Sequence, residues 1–246
     1  MSMFLKLAFL FFMGSIAGWV IELFFRKFFS DSNPEKKWIN PGFCTGPYLP
    51  LYGVGLCAMY LIASLENYDL ITNPFWNKIA LFAFMALCMT GLEYIAGIIS
   101  LKIFKVRLWD YSNNKGNIQG IICPLFSFFW AVLGAIYYFL IHPHILDAII
   151  WLSENLAFSF VVGMFFGVFI IDVVHSGQLV AKFKKFAEEY EVVVRHEQVK
   201  SRIRARYNDN PKKYRFFRPF KSDKSLLEHL KEMSNEFEEK KKKNKK

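Results

Sequence analysis

Residues 78–101 read KIALFAFMALCMTGLEYIAGIISL, a stretch in which Glu93 is the only charged side chain after Lys78. A bilayer core about 30 Å thick needs about 20 predominantly apolar residues to be crossed by a helix. The stretch is therefore predicted to be a transmembrane helix. Further apolar runs of suitable length lie near residues 3–25, 48–65, 119–141 and 148–174.

The charged residues are distributed very unevenly along the chain. Of 246 residues, 31 are basic and 21 are acidic, and the resulting net charge of +10 lies in residues 182–246. Residues 1–181 are balanced and carry far fewer charges than the quarter expected of an average soluble domain. This composition excludes an ordinary soluble enzyme, a disordered protein and a secreted disulfide scaffold. It predicts a polytopic membrane protein with a basic tail.

The five runs predict an all-α fold with five transmembrane helices in residues 1–177 and a basic, helical cytoplasmic tail in residues 178–246. We interpret the first run as a retained span, because its apolar character continues too far for a signal peptide. Loops 26–47 and 102–118 hold most of the basic residues outside the tail. By the positive-inside rule, the N-terminus is predicted outside and the C-terminus inside the plasma membrane.

Two pairs of predicted helices share a sequence pattern. Glu22 and Glu93 are each followed, at the same distance, by a tryptophan. Segments 46–53 and 120–127 then both read Gly-x-x-x-Pro-Leu, followed by an aromatic and a small residue. We interpret this as an internal repeat of helix, cytoplasmic loop, proline-broken entry and helix. Two-helix repeats share one orientation, so the predicted pseudo-axis is a rotation of about 180° about the membrane normal.

Glu93 lies deep in its predicted span and has no basic residue within two helical turns. A charged group at that depth costs at least about 2.5–3.5 kcal/mol. It must therefore be protonated, paired across helices or facing a wet cavity. A neutral, hydrogen-bonded packing role is the alternative to a functional one. Because Thr90 and Gly97 share its face, we predict that Glu93 faces the protein interior, near residues 109–111 or 40–53.

Two further acidic residues lie near the cytoplasmic ends of their spans. Glu22 lies one turn before Arg26, so an ion pair is one interpretation. It also continues a four-residue spacing from Gly14 and Gly18, which predicts close helix packing and a carboxylate that faces protein. Asp172 is interpreted as the polar, interfacial end of the fifth span. His142 and His144 flank a proline in a predicted external turn.

Two segments carry motifs unsuited to regular helix. Residues 40–53 are rich in proline and glycine, and such backbone at membrane depth must be buried in protein or line a cavity. Residues 109–117 mix aromatics with turn-forming residues, for which an interfacial belt followed by a turn is the alternative. With the acidic residues, these segments predict one cytoplasmic-side pocket. Its predicted residues are Glu22, Pro41, Gly46, Pro47, Tyr52, Glu93, Trp109, Asp110, Tyr111 and Asn117.

These motifs also support a family resemblance. The chain resembles the bacterial CmpB-like family of ABC-transporter permeases in Gly18-Trp19-x-x-Glu22, the segment 40–53, Glu93-Tyr94, and Trp109-Asp110-Tyr111-Ser112 with Asn117-x-x-Gly120. The resemblance covers roughly residues 5–175 and leaves out the tail. It implies an integral membrane protein with a permease role beside a separate ATPase, and it assigns no role to single residues.

The leading functional hypothesis is a transporter permease-like subunit. The chain has no Gly-x-x-x-x-Gly-Lys-Ser/Thr phosphate loop, so an ATPase partner would be a separate subunit docked on loop 26–47 or 102–118. One alternative is a membrane enzyme acting on a lipid or polyprenyl substrate, with Glu93, Asp110 and Tyr111 as acid–base candidates. Another is a non-catalytic scaffold or sensor that signals through the tail. No cofactor or metal site is predicted.

The remaining expectations concern partners. Five spans are few for a complete pathway, so transport implies a homodimer, and the Gly-x-x-x-Gly pattern at 163–167 is a weak dimer signal. The basic-aromatic stretch 212–220 predicts binding to anionic lipid rather than nucleic acid. A helix is predicted near residues 225–239. A heptad-spaced docking stripe is predicted at Leu179, Phe183, Phe186, Tyr190 and Val193. The four cysteines, which form no CxxC pair, are predicted to be free thiols.

Overall fold

The computed structural model describes residues 1–30, 33, 36–65, 73–189, 193–196, 198–200, 228–232 and 235. These residues are mostly helical, which confirms the predicted all-α class. The predicted lipid-binding stretch 212–220, the stripe position Tyr190 and most of the predicted helix at 225–239 lie outside the described residues.

Six α-helices and two short strands have defined bounds, and further helical residues lie at 196, 198–200, 228–232 and 235. The helices are α1 (Met3–Phe28), α2 (Pro50–Ser64), α3 (Pro74–Ile98), α4 (Pro124–Ile136), α5 (His142–Glu154) and α6 (Ser159–Glu189). A π-helical turn, Ile99–Ile103, extends α3, and another, Tyr137–Ile141, joins α4 to α5. A 3₁₀ turn, Leu156–Phe158, precedes α6. Strand β1 (Val106–Arg107) pairs in parallel with β2 (Val194–Arg195).

The membrane class follows from the length and composition of these helices. Within the described residues, four helical stretches are long and apolar enough to cross a bilayer: Met3–Phe28, Phe75–Ile103, Pro124–Glu154 and Leu156–Glu189. Helix α2 is also apolar but has only 15 residues, fewer than the about 20 that a span perpendicular to the membrane needs. Its role as a fifth span stays a prediction.

The boundary between the last two spans differs from the prediction. The helix expected at 119–141 begins at Pro124 and continues through α5, and the chain leaves the helix only at Asn155. The predicted turn around Pro143 is therefore wrong. Pro143 lies in the first turn of α5, directly after the π-helical turn, and proline is favoured in the first turn of a helical segment. The proline marks the start of a helical segment and does not end the span.

The chain divides into two compact units, each with its own core. The first comprises Met1–Glu22, Pro47–Ala96 and Asp110–Ile171, and the second comprises Leu23–Gly46, Gly97–Trp109 and Asp172–Lys246. Clusters around Leu10, Met85 and Leu152 form the core of the first unit. The core of the second unit contains Phe183 and Phe186, two positions of the predicted docking stripe. Leu179, also in the stripe, packs against it.

Helices α1 and α2 pack closely along the glycine stripe of α1. A Cβ atom added at Gly14 would lie 2.8 Å from the Cβ of Leu56, and one added at Gly18 would lie 2.1 Å from the Cγ of Tyr52. A side chain at either position would therefore displace α2. The predicted close contact at these glycines is confirmed.

Both predicted repeat units contain a helix that begins at the matching proline. Helices α2 and α4 start at Pro50 and Pro124, and each is preceded by a residue in extended conformation. Proline is favoured in the first helical turn because its backbone torsion is already set for the helix. The 180° relationship between the two units stays a prediction.

Candidate functional site

Glu93 is buried in the first unit, with 3% of its surface exposed. Its two oxygens accept hydrogen bonds from different parts of the chain. The Tyr111 hydroxyl donates to Oε1 at 3.0 Å, and the Trp130 indole Nε1 donates to Oε2 at 2.8 Å. The prediction that Glu93 faces the interior beside residues 109–111 is confirmed. Both donors are neutral, so they position the carboxylate without themselves supplying a positive charge.

Tyr111 is positioned by the loop that precedes α4. Its backbone N–H donates to the carbonyl of Gly120 at 2.9 Å. Its ring stacks on Phe126, with centroids 4.2 Å apart and an interplanar angle of 8°. Burial, and then the charge of Glu93, raise the pKa of Tyr111 well above its usual range. Tyr111 is therefore a protonated hydrogen-bond donor at physiological pH.

Asn117, another predicted pocket residue, shapes the same loop. Its Nδ2 donates to the carbonyl oxygens of Ser112 at 3.1 Å and Asn114 at 2.9 Å, and its Oδ1 accepts the N–H of Gly120 at 2.9 Å. Gly120 has φ 67°, a left-handed conformation that glycine adopts without steric cost. Asn117 therefore stabilises the backbone that carries Tyr111.

Glu22 is the second acidic residue of the site. The Tyr52 hydroxyl donates to Glu22 Oε2 at 3.2 Å, and the ring centroids of Tyr52 and Trp130 are 5.3 Å apart. Trp130 thus donates to Glu93 and contacts Tyr52, the donor to Glu22. We call these five residues, Glu22, Tyr52, Glu93, Tyr111 and Trp130, the carboxylate cluster.

Asp110 has a local role in the same loop. Its side chain is exposed, and Oδ1 accepts hydrogen bonds from the backbone N–H of Ser112 at 3.1 Å and from the Ser112 hydroxyl. Aspartate commonly makes such contacts two residues along the chain in turns. The turn accounts for an aspartate between Trp109 and Tyr111.

Four predicted pocket residues make none of the contacts that define the carboxylate cluster, and the single pocket stays a prediction. Pro47 is exposed in the first unit, whereas Pro41, Gly46 and Trp109 belong to the second. In the second unit, the N–H groups of Thr45 and Gly46 donate to Asp172 at 3.1 and 2.7 Å. Asp172 is only 9% exposed. It is a buried acceptor for a loop backbone, which differs from the interfacial helix end that the sequence predicted.

Sequence reasoning missed two of these roles. Trp130 was not singled out, although an indole N–H inside an apolar helix needs an acceptor, and this requirement was a usable signal. Asp172 was recognised as polar, but no local pattern links it to a loop more than a hundred residues earlier. The four cysteines, Cys44, Cys57, Cys88 and Cys123, are free thiols as predicted.

The fold and the carboxylate cluster define a polytopic α-helical membrane protein that keeps ionisable side chains within apolar helices. The chain belongs to the family described as Putative ABC-transporter type IV, whose profile matches residues 9–177. The match confirms the resemblance, and it includes every predicted pocket residue and Asp172. No curated protein and no solved structure matches the chain.

Proposed function

We propose that this protein is a permease-like subunit of an ABC transporter and that the carboxylate cluster lines the route of its substrate. Family membership supports the transporter class. The observation that carries the proposal is the burial of Glu93 between two neutral donors within an apolar helix. Ionisable residues at such depth are costly and are typical of substrate and ion pathways.

The chemistry of the cluster favours a cation or a proton as the bound species. Two carboxylates, Glu22 and Glu93, belong to the cluster, and neutral aromatic donors orient both. Like charges in a low-dielectric surrounding repel each other, and a bound cation or a shared proton relieves that repulsion. The aromatic donors hold the oxygens in place while the species is exchanged.

Hydrolysis of ATP is assigned to a separate subunit, because the chain contains no phosphate-binding loop of the Walker type. In the proposed orientation, the N-terminus is outside the plasma membrane, and loops 26–47 and 102–118 face the cytoplasm. These loops are the proposed docking region for the ATPase. The basic tail then lies beside the anionic inner leaflet, where each basic residue contributes about 1 kcal/mol of attraction.

A second copy of the chain is the proposed oligomeric partner. A Cβ atom added at Gly163 or Gly167 on α6 would meet no atom within 4 Å, and Phe160 and Met164 beside them are exposed. Pairs of small residues at this spacing allow two membrane helices to approach closely. A dimer would also supply more helices for a complete pathway.

Purification of the tagged full-length chain from its native membrane tests the permease role. The expected result is a P-loop ATPase in stoichiometric amount, identified by mass spectrometry, whose ATP hydrolysis in nanodiscs depends on the chain. Glu93→Gln should retain the ATPase but change its turnover and the pH dependence of that turnover. Absence of a stoichiometric P-loop protein would contradict the proposal.

The same preparation separates the alternatives. Lipid or polyprenyl turnover by the chain alone, lost in Tyr111→Phe, would favour the membrane enzyme. A chain with neither an ATPase nor turnover, but with partners that depend on its tail, would favour the scaffold or sensor. The contact of Asp110 with Ser112 lends no support to the proposed acid–base set, since it occupies that carboxylate in a turn.

A further inference from the structure

The loop at residues 40–46 is organised around its first side chain. Asn40 is fully buried. Its Nδ2 donates to the carbonyl oxygens of Cys44 at 3.1 Å and Thr45 at 3.0 Å, and its Oδ1 accepts the N–H of Gly42 at 3.0 Å. The loop backbone therefore closes on one amide side chain.

Two charged side chains outside the loop hold its backbone. Asp172, on α6, accepts the last two N–H groups of the loop. Lys200 donates from Nζ to the carbonyl oxygens of Asn40 at 3.3 Å and Gly42 at 3.0 Å, and it is only 4% exposed. Asp172 thus accepts hydrogen bonds from loop N–H groups, and Lys200 donates hydrogen bonds to loop carbonyl oxygens.

Lys200 belongs to a segment that follows α6. We call residues 193–196 and 198–200 the strap. Val194 and Val199 of the strap are buried in the core of the second unit, and the loop contributes an aromatic ring to the same packing. The strap and the loop therefore share one hydrophobic core, with the Lys200 hydrogen bonds beside it.

The described strap residues are a two-residue strand followed by helical residues at 196 and 198–200, and the strand is short. Strand β2 pairs with β1 over two residues, with Val194 opposite Val106, and the Val194 N–H donates to the Lys105 carbonyl at 3.1 Å. The His196 ring lies 5.1 Å from the Phe43 ring of the loop. A ladder of two residues is marginal on its own. The position of the strap against the loop therefore depends on side-chain contacts.

We propose that the strap is a displaceable cover of the 40–46 loop and that Lys200 keeps it closed. The loop and Asp172 lie inside the family match, which ends at residue 177, whereas the whole strap lies beyond it. Asp172 therefore holds the loop within the part of the chain that the family shares. Lys200 adds a second attachment through its hydrogen bonds to the loop carbonyl oxygens. These hydrogen bonds break when the strap moves away from the loop.

Opening the strap uncovers a surface of defined chemistry. It exposes the Phe43 ring and frees the carbonyl oxygens of Asn40 and Gly42 to accept new hydrogen bonds. The surface fits a partner segment with apolar side chains next to a basic one, which is the chemistry of the strap itself. Such a segment competes with the strap, so access to the loop is controlled by the tail.

Cys44 in the loop reports on this opening without knowledge of the substrate or of the partner. It is a free thiol with 8% of its surface exposed. The experiment compares the wild-type chain with Lys200→Met in nanodiscs, using N-ethylmaleimide and peptide mapping of each cysteine. Hydrogen bonds from a charged donor shift a local opening equilibrium by about tenfold to a hundredfold. Alkylation of Cys44 should accelerate by that factor.

Two controls make the result specific to the strap. Cys123, buried in the first unit, should keep its alkylation rate in Lys200→Met. Lys184→Met removes an exposed positive charge from α6 and should leave Cys44 unchanged. Equal alkylation of Cys44 in Lys200→Met and the wild type overturns the proposal. A parallel increase at Cys123 also overturns it, because Lys200 would then stabilise the whole protein.

A cross-link tests whether the strap itself is the cover. Val106 and Val194 are paired in register, at a separation that suits a disulfide between neighbouring strands. In Lys200→Met with Val106→Cys and Val194→Cys, oxidation should return Cys44 to the wild-type rate, and reduction should accelerate it again. Fast alkylation in the oxidised form would show that something other than the strap protects Cys44, which overturns the proposal.

Discussion

Glu93 and Asp172 are both buried carboxylates on apolar helices, yet different chemical groups satisfy them. Glu93 accepts hydrogen bonds from two side chains, the Tyr111 hydroxyl and the Trp130 indole. Asp172 accepts two backbone N–H groups of the 40–46 loop, and the Ser176 hydroxyl donates to it at 3.2 Å. Glu93 is held by side-chain donors, whereas Asp172 is held mainly by main-chain donors.

From this difference we infer that Asp172 serves the fold, whereas Glu93 serves the proposed function. Buried backbone N–H groups need a partner and cannot move without the loop, so we assign Asp172 to the fold. The donors to Glu93 are side chains and not loop N–H groups, so in the proposed function Glu93 exchanges a ligand or a proton without unfolding of a loop. The comparison predicts that substitutions at Asp172 reduce stability, whereas substitutions at Glu93 reduce activity.

Asp172→Ala should have the largest effect on stability. It leaves two loop N–H groups without their acceptor, and each unsatisfied buried donor costs about 1–3 kcal/mol. We expect a loss of roughly 3 kcal/mol, with about half of that loss in Asp172→Asn, which keeps one carbonyl oxygen. Thermal unfolding in detergent measures both. An unchanged unfolding midpoint in Asp172→Ala would show that Asp172 does not stabilise the fold.

Gly18→Ala should have the next largest effect, because it disturbs the position of Tyr52 beside Glu22. The added methyl group would lie 2.1 Å from the Tyr52 ring, and overpacking of this kind costs about 1–3 kcal/mol. Gly91→Ala is the matched control, since its methyl group would meet no atom within 4 Å and Gly91 is not part of the proposed dimer contact. Unfolding midpoints should fall only for Gly18→Ala. Equal losses in the two variants would mean that backbone flexibility, not packing, explains both glycines.

Much of this architecture follows from sequence because membrane helices obey local rules. Length and apolarity predicted the long spans, and the cost of a lone charge at depth predicted that Glu93 faces inward. The four-residue spacing of Gly14 and Gly18 predicted the contact with α2. Each of these inferences depends on one segment and the surrounding bilayer.

The remaining features depend on pairs of segments far apart in the chain. Nothing near Asp172 indicates that it binds Gly46, and nothing near Lys200 indicates a contact with Asn40. Pro143 misled the boundary prediction because proline is compatible both with a turn and with the first turn of a helix. Tertiary structure decides between them, as the π-helical turn before α5 shows.

Glu93→Gln should have a small effect on stability and a large one on activity. Its amide NH₂ cannot accept a hydrogen bond, so one of the two donors loses its acceptor, at about 1 kcal/mol. Tyr111→Phe should cost a similar amount and leave Glu93 bound to Trp130. ATP hydrolysis by the purified complex should fall strongly in Glu93→Gln and less in Tyr111→Phe. Full activity in Glu93→Gln would show that the carboxylate serves packing.

The smallest expected effect is on the pH dependence of stability, and it comes from the Cys44 thiol near the charge of Asp172. Burial first, and then the negative charge of Asp172, raise the pKa of Cys44 from 9.0 to about 11. Because the folded-state pKa is the higher one, the unfolded chain loses its thiol proton first as the pH rises. Stability from this group is therefore complete below pH 9 and decreases between about pH 9 and pH 11. Cys44→Ser should remove this part of the pH dependence.

The pH profile of Cys44 alkylation separates the two roles of Asp172. Only the thiolate reacts with maleimide, so the midpoint of the profile reports the pKa and its plateau reports access to the thiol. Asp172→Asn removes the charge, so the midpoint should move below the value of about 11 in the wild type. Lys200→Met, which should loosen the loop but keeps the Asp172 charge, gives the part of the midpoint shift that exposure alone causes, because burial is the larger cause of the raised pKa of Cys44. A larger shift in Asp172→Asn than in Lys200→Met is then due to the charge. Glu93→Gln, the matched loss of a buried carboxylate, should change neither the midpoint nor the plateau of the Cys44 profile. A shifted midpoint in that variant would contradict the distinction between the two acids.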